Sequence, residues 1–317
     1  MALVDTARNR ILGYRVWEHV ESSEVAPFTP TSLARDLAGA AREVCADAEV
    51  DWKHIGRVGI GIPGPVRSDG VVAEFTNVKG FEGLDFADLL SGAFGSGVTV
   101  EVANDLDAAA LHAYLNADSG SQDLAFLAVG TGVGSGLVIN GRLLRNRGEV
   151  GEVPVSFTPG FSRTQCRPAP GYAGKRSNIV EAFIGGTSLA QRMREELDQN
   201  CDVELGGGPS RIRELVGGDL KRITASTIDE AASQGDAYAQ AFVREAADAL
   251  ANAMVWYVTV LKLDTLVLGG GVLESCPVLT GEALRYFQDR KPDFLDEVQI
   301  VRPSQGALAG ALGAAYL

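Results

Sequence analysis

The sequence Leu124-Ala-Phe-Leu-Ala-Val-Gly-Thr-Gly-Val-Gly-Ser-Gly136 decides the fold class of this chain. Its six apolar residues predict a buried strand, and glycine fills every second position of the segment 130–136 that follows. Glycines let a backbone approach an anion closely, and successive N–H groups can cradle phosphate at the carboxyl end of a strand. A glycine-rich hairpin is the alternative, because a second strand, residues 137–141, follows where a dinucleotide-binding fold would begin a helix.

Strands and helices alternate along the rest of the chain, which predicts an α/β fold with helices covering a sheet. The predicted strands are residues 2–5, 10–17, 58–62, 98–102, 124–129, 137–141 and 263–268. The predicted helices are residues 29–46 (capped by Thr31 or Ser32), 106–115, 179–200, 228–261 and 306–317. Residues 157–177, rich in proline, glycine and basic side chains, are predicted to form a long loop. At roughly 150 residues per domain, the 317 residues predict two lobes.

Composition excludes several classes of protein. Lys and Arg number 28 against 41 Asp and Glu, and the net charge of -13 repels phosphate backbones and anionic lipids. We therefore expect no nucleic-acid partner and no membrane partner, and the N-terminus lacks the pattern of a signal peptide. A cytoplasmic location is predicted because the four cysteines are scattered as free thiols would be: Cys45, Cys166, Cys201 and Cys276.

A second glycine cluster, Gly269-Gly270-Gly271, follows the predicted strand 263–268. Three adjacent glycines allow a flat ligand, such as a purine ring, to lie against bare backbone. A tight strand-to-helix turn explains them equally well. Two such clusters after buried strands in one chain favour a nucleotide ligand.

An acidic motif stands where the predicted strand 98–102 ends and a helix begins. Asn104 is a good N-cap, and Asp105 and Asp107 would favour the positive end of the helix dipole. For Asp107 we prefer that structural role. Asp105 lies where the strand ends, and a carboxylate there can accept the proton of a substrate hydroxyl whose oxygen attacks phosphorus. Asp105 is therefore the candidate general base.

Further candidate ligand-binding residues lie on predicted loops and at a helix start. Glu149 and Glu152 follow the predicted hairpin, where carboxylates can accept hydrogen bonds from sugar hydroxyls, although surface solvation is the default for either. Glu152 is the better candidate of the two. Glu181 begins a helix, so a first-turn acid favoured by the helix dipole is its alternative role. The turn Ile62-Pro-Gly-Pro-Val66 forms a stiff ledge that either contacts a ligand through its backbone or is simply rigid.

Taken together, these segments resemble the ROK family of sugar kinases and sugar-responsive repressors, which has a two-lobed actin-like ATPase fold. The resemblance runs from about residue 2 to the last residue, and these segments carry it: Gly59-Ile-Gly-Ile-Pro-Gly-Pro-Val66, Ala103-Asn-Asp-Leu-Asp-Ala-Ala-Ala110, 129–136, Gly151-Glu152, Val180-Glu181-Ala182, Gly235-Asp236, 268–272 and the terminal Gly/Ala helix. It implies a sugar-side lobe of residues 1–103 with 303–317 and a nucleotide-side lobe of residues 104–302. It also implies a homodimer.

The resemblance gives each candidate residue a role. Asp105 corresponds to the general base that takes the proton from the sugar hydroxyl. The residues that would hold the sugar are Asn104, Glu152, Glu181, Gly64 and Pro65. The residues that would bind the nucleotide are Gly130, Thr131, Gly132, Gly134, Gly269, Gly270 and Gly271. ATP with Mg²⁺ is the implied phosphoryl donor.

Three features depart from the family pattern. The Asp-x-Gly-Gly-Thr phosphate loop does not occur, so the chain is expected to begin at what is the second strand in the family. Cys166 stands alone in the segment where the family has its zinc cysteines, and one cysteine cannot build a tetrahedral site, so no structural zinc is predicted. Val155 replaces a histidine that touches both zinc and sugar in the family, which favours an amino sugar or a cyclitol over glucose.

These observations predict an ATP-dependent sugar kinase that phosphorylates a hydroxyl, expected to be the primary one, of a hexose, amino sugar or related cyclitol. The alternative is a non-catalytic sugar-sensing regulator of the same family. The missing phosphate loop favours the regulator, whereas the acidic balance, which offers no basic recognition helix, disfavours it.

Overall fold

In the computed structural model, the described residues are 1–16, 29–67, 70–73, 80–117, 121–155, 179–206, 208–295, 297–303 and 306–317. The predicted loop 157–177, with Cys166, lies outside them. The strands within this part of the chain are β1 (Ala2–Asp5), β2 (Arg10–Tyr14), β3 (Arg57–Ile62), β4 (Thr99–Asn104), β5 (Leu124–Val129), β6 (Val133–Ile139), β7 (Arg142–Leu143), β8 (Thr265–Gly269) and β9 (Gln299–Val301).

Twelve α-helices and five short 3-10 helices occur in the same described residues. The α-helices are α1 (Pro30–Asp47), α2 (Phe86–Phe94), α3 (Asp105–Leu115), α4 (Val180–Ile184), α5 (Gly186–Asp198), α6 (Cys201–Gly206), α7 (Ile212–Leu215), α8 (Ala225–Ser233), α9 (Ala237–Leu261), α10 (Gly271–Ser275), α11 (Pro277–Arg290) and α12 (Ala309–Ala314). The 3-10 helices are Trp52–His54, Val150–Glu152, Leu220–Arg222, Asp293–Leu295 and Gly306–Leu308.

Three sheets form in the described chain. β1 and β2 make an antiparallel hairpin, and β3 pairs with β4 in parallel. The largest sheet has five strands in the order β7-β6-β5-β8-β9, in which β8 and β9 are parallel. The alternation of strands and helices predicted from the sequence is therefore present, as an α/β fold.

The described residues group into two compact units. Unit 1 comprises residues 1–126, 136–147 and 303–317, and unit 2 comprises residues 127–135 and 148–302. Helix α3 belongs to unit 1, whereas the lobe boundaries predicted from the sequence begin the second lobe at residue 104. Those lobe boundaries remain a prediction.

Unit 1 has a core between the β3–β4 pair and two helices. Helix α2 places Phe86, Leu90 and Phe94 at helical spacing, and each of these side chains is at most 1% exposed. Helix α1 adds a stripe of small residues, which include Ala34 and Ala38. Burial of these apolar side chains is the main favourable term in forming the unit.

Helix α12 packs against both α3 and β3, and glycine makes the contact possible. A Cβ atom at Gly313 would overlap the carbonyl of Ala108 on α3, and a Cβ at Gly59 would overlap the carbonyl of Ala314. Neither neighbour can yield, because both clashes are with backbone. The Gly/Ala composition of the C-terminal segment therefore sets how closely these elements approach.

Unit 2 is built around the 25-residue helix α9. The predicted face of Phe242, Ala246, Leu250, Met254 and Tyr257 is buried, with no member more than 2% exposed. α9 packs against α4, α8 and α11. The described cysteines Cys45, Cys201 and Cys276 are buried.

Several predicted boundaries were wrong for local reasons. The predicted helix 228–261 is two helices, because Gly235 has a φ of +87° and Asp236 caps α9 by accepting a hydrogen bond from Ala239 N at 2.8 Å. Residue Thr29, not Thr31 or Ser32, caps α1 in a reciprocal capping box with Ser32. The predicted terminal helix begins as a 3-10 turn and is α-helical only from Ala309.

Two further corrections concern the glycine-rich elements. The predicted helix 179–200 breaks at Gly185 into α4 and α5. Strand β6 begins at Val133, not at residue 137, so Gly134 and Gly136 lie within the strand and the turn proper is residues 130–132. Residue 136 of this strand has to be glycine, because a Cβ there would overlap the carbonyl of Leu106 on α3.

Candidate active site

The carboxyl ends of β3 and β4 bring two predicted segments together in unit 1. Ile62 pairs with Asn104 in the parallel register, so the proline–glycine turn after β3 lies beside the Asn104-Asp105 motif after β4. Asn104 Oδ1 caps α3 by accepting hydrogen bonds from Leu106 N at 2.8 Å and Asp107 N at 3.3 Å. Its Nδ2 donates to the Gly64 carbonyl at 3.0 Å. Asn104 therefore fixes the turn and the helix start at the same time.

Asp105 is the first residue of α3, and its carboxyl group is largely buried. Burial raises the pKa of Asp105, and hydrogen bonds from the N–H groups of Leu106 and of Asp105 itself oppose the rise only in part. A raised pKa suits a group that must both accept and release a proton near neutral pH.

Gly61 on β3 lies against Asp105, a contact that was not predicted from the sequence. A Cβ at Gly61 would lie 3.0 Å from Asp105 Cα and 3.4 Å from its Cβ. Real Cβ atoms rarely come so close, so the glycine gives the candidate base its place at the end of the sheet. The Gly-x-Gly spacing within β3 could have suggested such an approach.

The turn between β3 and the next segment exposes a single backbone donor. Pro63 and Pro65 have no N–H, so Gly64 carries the only N–H of the three residues. Gly64 has a φ of +113°, a conformation that glycine adopts without strain. The Pro65 carbonyl is occupied, because it accepts a hydrogen bond from Ala73 N at 3.0 Å.

The first glycine turn lies in unit 2, and α5 holds its carbonyl groups. Gly186 N donates to the Gly130 carbonyl at 2.8 Å, and Thr187 N donates to the Thr131 carbonyl at 3.2 Å. Within the described chain, no protein acceptor pairs with the N–H groups of Thr131 and Gly132. Two adjacent N–H groups free of protein acceptors are what an anion-binding turn requires.

The second glycine cluster meets the first within unit 2. Gly270 has a φ of +97°, and a Cβ there would overlap the carbonyl of Val129, the last residue of β5. A Cβ at Gly186 would lie 2.9 Å from the Gly130 carbonyl and 3.0 Å from the Val272 side chain. The two segments predicted to bind a nucleotide are therefore packed on one another.

Three glutamates form a carboxylate cluster in unit 2. Glu181 Oε2 accepts a hydrogen bond from Val133 N at 2.8 Å, which ties the side chain to the glycine turn. Partial burial of its carboxyl group raises the pKa of Glu149, and the negative charges of Glu152 and Glu181 raise it further. Glu152 is exposed, at the end of the 3-10 helix that Glu149 precedes.

The start of this glutamate segment is held by two buried hydroxyl groups. Ser135 Oγ and Tyr257 Oη lie 2.5 Å apart, and both contact the carbonyl oxygen of Gly148, Tyr257 at 2.6 Å. Burial raises the pKa of Tyr257 to about 12; the Ser135 hydrogen bond opposes this, and the Glu149 charge adds to it. Neither Ser135 nor Tyr257 was a predicted site residue, because their relation to Glu149 is made only by folding.

In the part of the chain that the structure describes, no three His, Cys, Asp or Glu side chains form a group suited to a metal ion. Among these residues there is also no helix with the length and hydropathy needed to cross a membrane.

The ROK family model matches residues 11–317. The chain belongs to the ROK family. The match includes both glycine segments, the Asn104-Asp105 motif and the glutamate cluster, so the resemblance predicted from those residues is confirmed.

Similar proteins place this ROK chain among sugar kinases. It is 28% identical over 277 residues to a glucokinase of Thermotoga maritima, across 84% of this chain and 80% of the relative. It is also 28% identical over 303 residues to an N-acetyl-D-glucosamine kinase of Salmonella paratyphi B, across 91% of this chain and 89% of the relative.

A solved ROK structure supports the fold. A ROK family glucokinase of Streptomyces griseus, in complex with glucose and AMPPNP, superposes with a TM-score of 0.71 at 23% identity, over 99% of this chain and 94% of that one. The predicted α/β fold of the actin-like ATPase class is confirmed for this ROK chain.

Proposed function

We propose that this ROK family chain is a sugar kinase that transfers the γ-phosphoryl group of ATP to a hydroxyl of a hexose or amino sugar. The observation that carries the proposal is Asp105, a largely buried carboxyl with a raised pKa at the end of β4. Asn104 Nδ2 has a second hydrogen besides the one donated to the Gly64 carbonyl, and Gly64 has a backbone N–H, so both can donate to a sugar. Relatives that are themselves kinases of glucose and N-acetylglucosamine support the reaction class.

The chemistry requires one proton acceptor. The oxygen of the sugar hydroxyl attacks the γ-phosphorus, its proton passes to the Asp105 carboxylate, and the bond to the bridging oxygen of ADP breaks. Since phosphoryl transfer depends mainly on positioning and charge stabilisation, the Asp105 geometry matters as much as its basicity.

The glycine segments of unit 2 would contribute the nucleotide-binding residues. The N–H groups of Thr131 and Gly132 are suited to phosphate oxygens, and the bare backbone at 269–271 is suited to the nucleoside. Mg²⁺ carried on the ATP phosphates would supply charge neutralisation. Glu152 and Glu181 would accept hydrogen bonds from the sugar. Dimerisation stays a prediction.

The test is a phosphorylation assay with ATP–Mg²⁺ and a panel of candidate acceptors: glucose, mannose, N-acetylglucosamine, glucosamine and inositol. We expect at least one sugar to be phosphorylated, and Asp105→Asn to lower kcat by about 10² to 10⁴-fold while sugar binding, measured by calorimetry, persists. Asp88→Asn is the matched control, because Asp88 is an exposed first-turn acid of α2 in the same unit. Unchanged turnover in Asp105→Asn would overturn the role of the base.

The regulator alternative makes a different prediction for the same protein. A non-catalytic sugar sensor would bind a sugar of the panel, release no ADP and show no heat of binding with ATP–Mg²⁺. Nucleotide binding together with sugar-dependent ADP release excludes the regulator.

A further inference from the structure

Two hydrogen-bonded links connect the Ile62–Val66 turn to the start of helix α3 in unit 1, and the second of them involves no predicted site residue. The first link is the hydrogen bond from Asn104 Nδ2 to the Gly64 carbonyl at 3.0 Å. The second is Asn146, whose side-chain amide pairs with both backbone groups of Val66. Asn146 Oδ1 accepts from Val66 N at 2.9 Å, and Asn146 Nδ2 donates to the Val66 carbonyl.

Asn146 is itself held from helix α3. Its backbone N–H donates to Asp107 Oδ2 at 2.8 Å, and Asp107 is only 1% exposed. Asn146 has a φ of +54°, a left-handed conformation that asparagine tolerates better than most residues. Burial of the Asp107 carboxylate and the left-handed backbone of Asn146 each destabilise the folded state, and the hydrogen bonds that these two residues make offset that cost.

The two links start from the same turn of α3. Asn104 is hydrogen-bonded to Gly64 directly, and Asp107 is linked to Val66 through hydrogen bonds of Asn146. Asp105, the proposed base, lies between Asn104 and Asp107 in the sequence. The position of the turn relative to Asp105 is therefore determined on both sides by hydrogen bonds.

We propose that Asp107 and Asn146 are positioning residues that set the Gly64–Pro65 turn against Asp105 and so decide which sugar hydroxyl faces the base. This inference rests on the proposed kinase function. When the Asp107–Asn146–Val66 link is lost, Asn104 is the remaining one of these two links between the turn and the start of α3. The sugar then binds with its hydroxyl out of line with the γ-phosphorus. Water then takes the place of the sugar hydroxyl. The water oxygen attacks the γ-phosphorus, a water proton passes to the Asp105 carboxylate and the bond to the bridging oxygen of ADP breaks, so that phosphate and ADP form without sugar phosphate.

The variant Asn146→Gly isolates the side chain. Glycine adopts a φ of +54° without strain, so the backbone and the Asp107 hydrogen bond can persist while both bonds to Val66 are lost. Asp107→Ala removes the carboxylate, and Asp107→Asn keeps an oxygen that can accept from Asn146 N. The matched control is Asp229→Ala, since Asp229 is a buried carboxylate that accepts from Val278 N at 3.1 Å and Leu279 N at 2.8 Å in unit 2.

Two measurements test the proposal. Hydrogen exchange followed by mass spectrometry on peptides covering residues 60–67 should be faster in both Asn146→Gly and Asp107→Ala than in the wild type. In Asn146→Gly the Val66 N–H loses its acceptor, and in Asp107→Ala that acceptor, Asn146, loses the carboxylate that holds it. Kinetics should show kcat reduced about 10 to 100-fold, more than KM is raised, and ADP formed in excess over sugar phosphate. Asp107→Asn should restore most of the coupling, and Asp229→Ala should lower Tm without altering either readout.

Wild-type exchange in the 60–67 peptides of Asn146→Gly would overturn the linkage. A loss of Tm with kcat, KM and coupling unchanged would overturn the positioning role, because that result is what a purely structural bond produces. If the wild-type enzyme phosphorylates no sugar of the panel, the proposed function fails. The exchange experiment still decides the linkage in that case, because it needs no turnover.

Discussion

Glu181 accepts a hydrogen bond from the backbone N–H of Val133 at 2.8 Å, although the two residues lie 48 positions apart in the sequence. A side chain predicted to hold the sugar is thus anchored at the end of the glycine turn predicted to hold phosphate. A Cβ at Gly132 would lie 2.5 Å from the same Glu181 oxygen. The absence of a side chain at residue 132 is what lets the carboxylate reach the turn.

The variant Gly132→Ala should displace Glu181 at little cost in stability. The atom that the new methyl group meets is the end of a flexible side chain, which can rotate away. We expect KM for the sugar to rise by about tenfold, because the displaced Glu181 carboxylate loses its hydrogen bond with the sugar. Tm should change little.

Gly270→Ala is the matched comparison for that change. Its Cβ would meet the Val129 backbone, and its φ of +97° strains any residue with a side chain, so we expect a marked loss of Tm. Thermal denaturation and sugar kinetics of both variants separate the two effects. Equal losses of Tm would contradict the distinction.

The pH dependence of turnover should report the environment of Asp105. Burial raises its pKa, and a general base acts in its deprotonated form. Turnover should therefore rise as pH increases through this raised pKa, at a higher pH than an ordinary aspartate, with a pKa of about 3.9, would give. A profile of kcat against pH measures this, with sugar and ATP saturating. A profile that stays flat down to the ordinary aspartate range would contradict the assignment.

Tyr257→Phe should loosen the segment that carries Glu149 and Glu152. It removes one donor to the Gly148 carbonyl and the 2.5 Å contact with Ser135, a loss of about 1 to 2 kcal/mol in the free energy of unfolding. We expect KM for the sugar to rise as well. Tyr14→Phe is the control, because Tyr14 is 58% exposed, and it should change neither quantity.

The raised pKa of Tyr257 allows a separate check. With a pKa of about 12, its hydroxyl stays protonated and donates throughout the range in which exposed tyrosines ionise, at about pH 10. Burial also raises the pKa values of Tyr286 and Tyr316, so tyrosinate absorbance should show fewer late-titrating residues, by one, in Tyr257→Phe than in the wild type. Identical titration curves would contradict the burial of the Tyr257 hydroxyl against Ser135 and the Gly148 carbonyl.

The stability of unit 2 should depend on the buried ion pair of Arg192 with Glu245. Both side chains are 0% exposed, and the Arg192 guanidinium lies 4.6 Å from the Phe183 ring centroid and 4.8 Å from that of Phe242. Arg192→Met would leave Glu245 buried without this partner and should lower the free energy of unfolding by about 3 to 5 kcal/mol.

An exposed pair supplies the control for Arg192. Arg285 contacts Glu282 at 2.6 Å but is 53% exposed, so Arg285→Met should change stability little. The double variant Arg192→Met with Glu245→Gln should recover part of the loss, because it removes the buried negative charge that Arg192 no longer offsets. Urea denaturation measures all three. A double variant less stable than Arg192→Met alone would contradict the explanation.

The elements that local chemistry specifies were predicted well. Asn104 caps α3 as expected, because an N-cap needs only the N–H groups two and three residues ahead. β5 follows from six apolar residues in a row. The break at Gly235-Asp236 could have been predicted on the same grounds, since a left-handed glycine and a capping aspartate are both local signals.

The composition of the site could be predicted only as separate pieces. The candidate residues were recognised from family-like motifs. The Gly-x-Gly spacing in β3 could suggest a close approach at Gly61 but does not identify Asp105 as the neighbour. The contacts of Gly270 with Val129 and of Ser135 with Tyr257 have no signal in the sequence around either partner. Ser135 and Tyr257 are 122 positions apart, and Asp107 and Asn146 are 39 apart. No periodicity or spacing rule links residues at such separations.

The sequence by itself determined the α/β class, the family, the two glycine segments and the identity of the candidate base, because each depends on contacts between neighbours in the chain or on a run of residues with one character. Only the tertiary structure decided what holds those pieces in place. Hydrogen bonds from Asn146 N to Asp107 and from Val133 N to Glu181, and close backbone approaches at glycine, form when distant segments are packed together. Their energies depend on distances of a few tenths of an ångström, which only the folded chain defines.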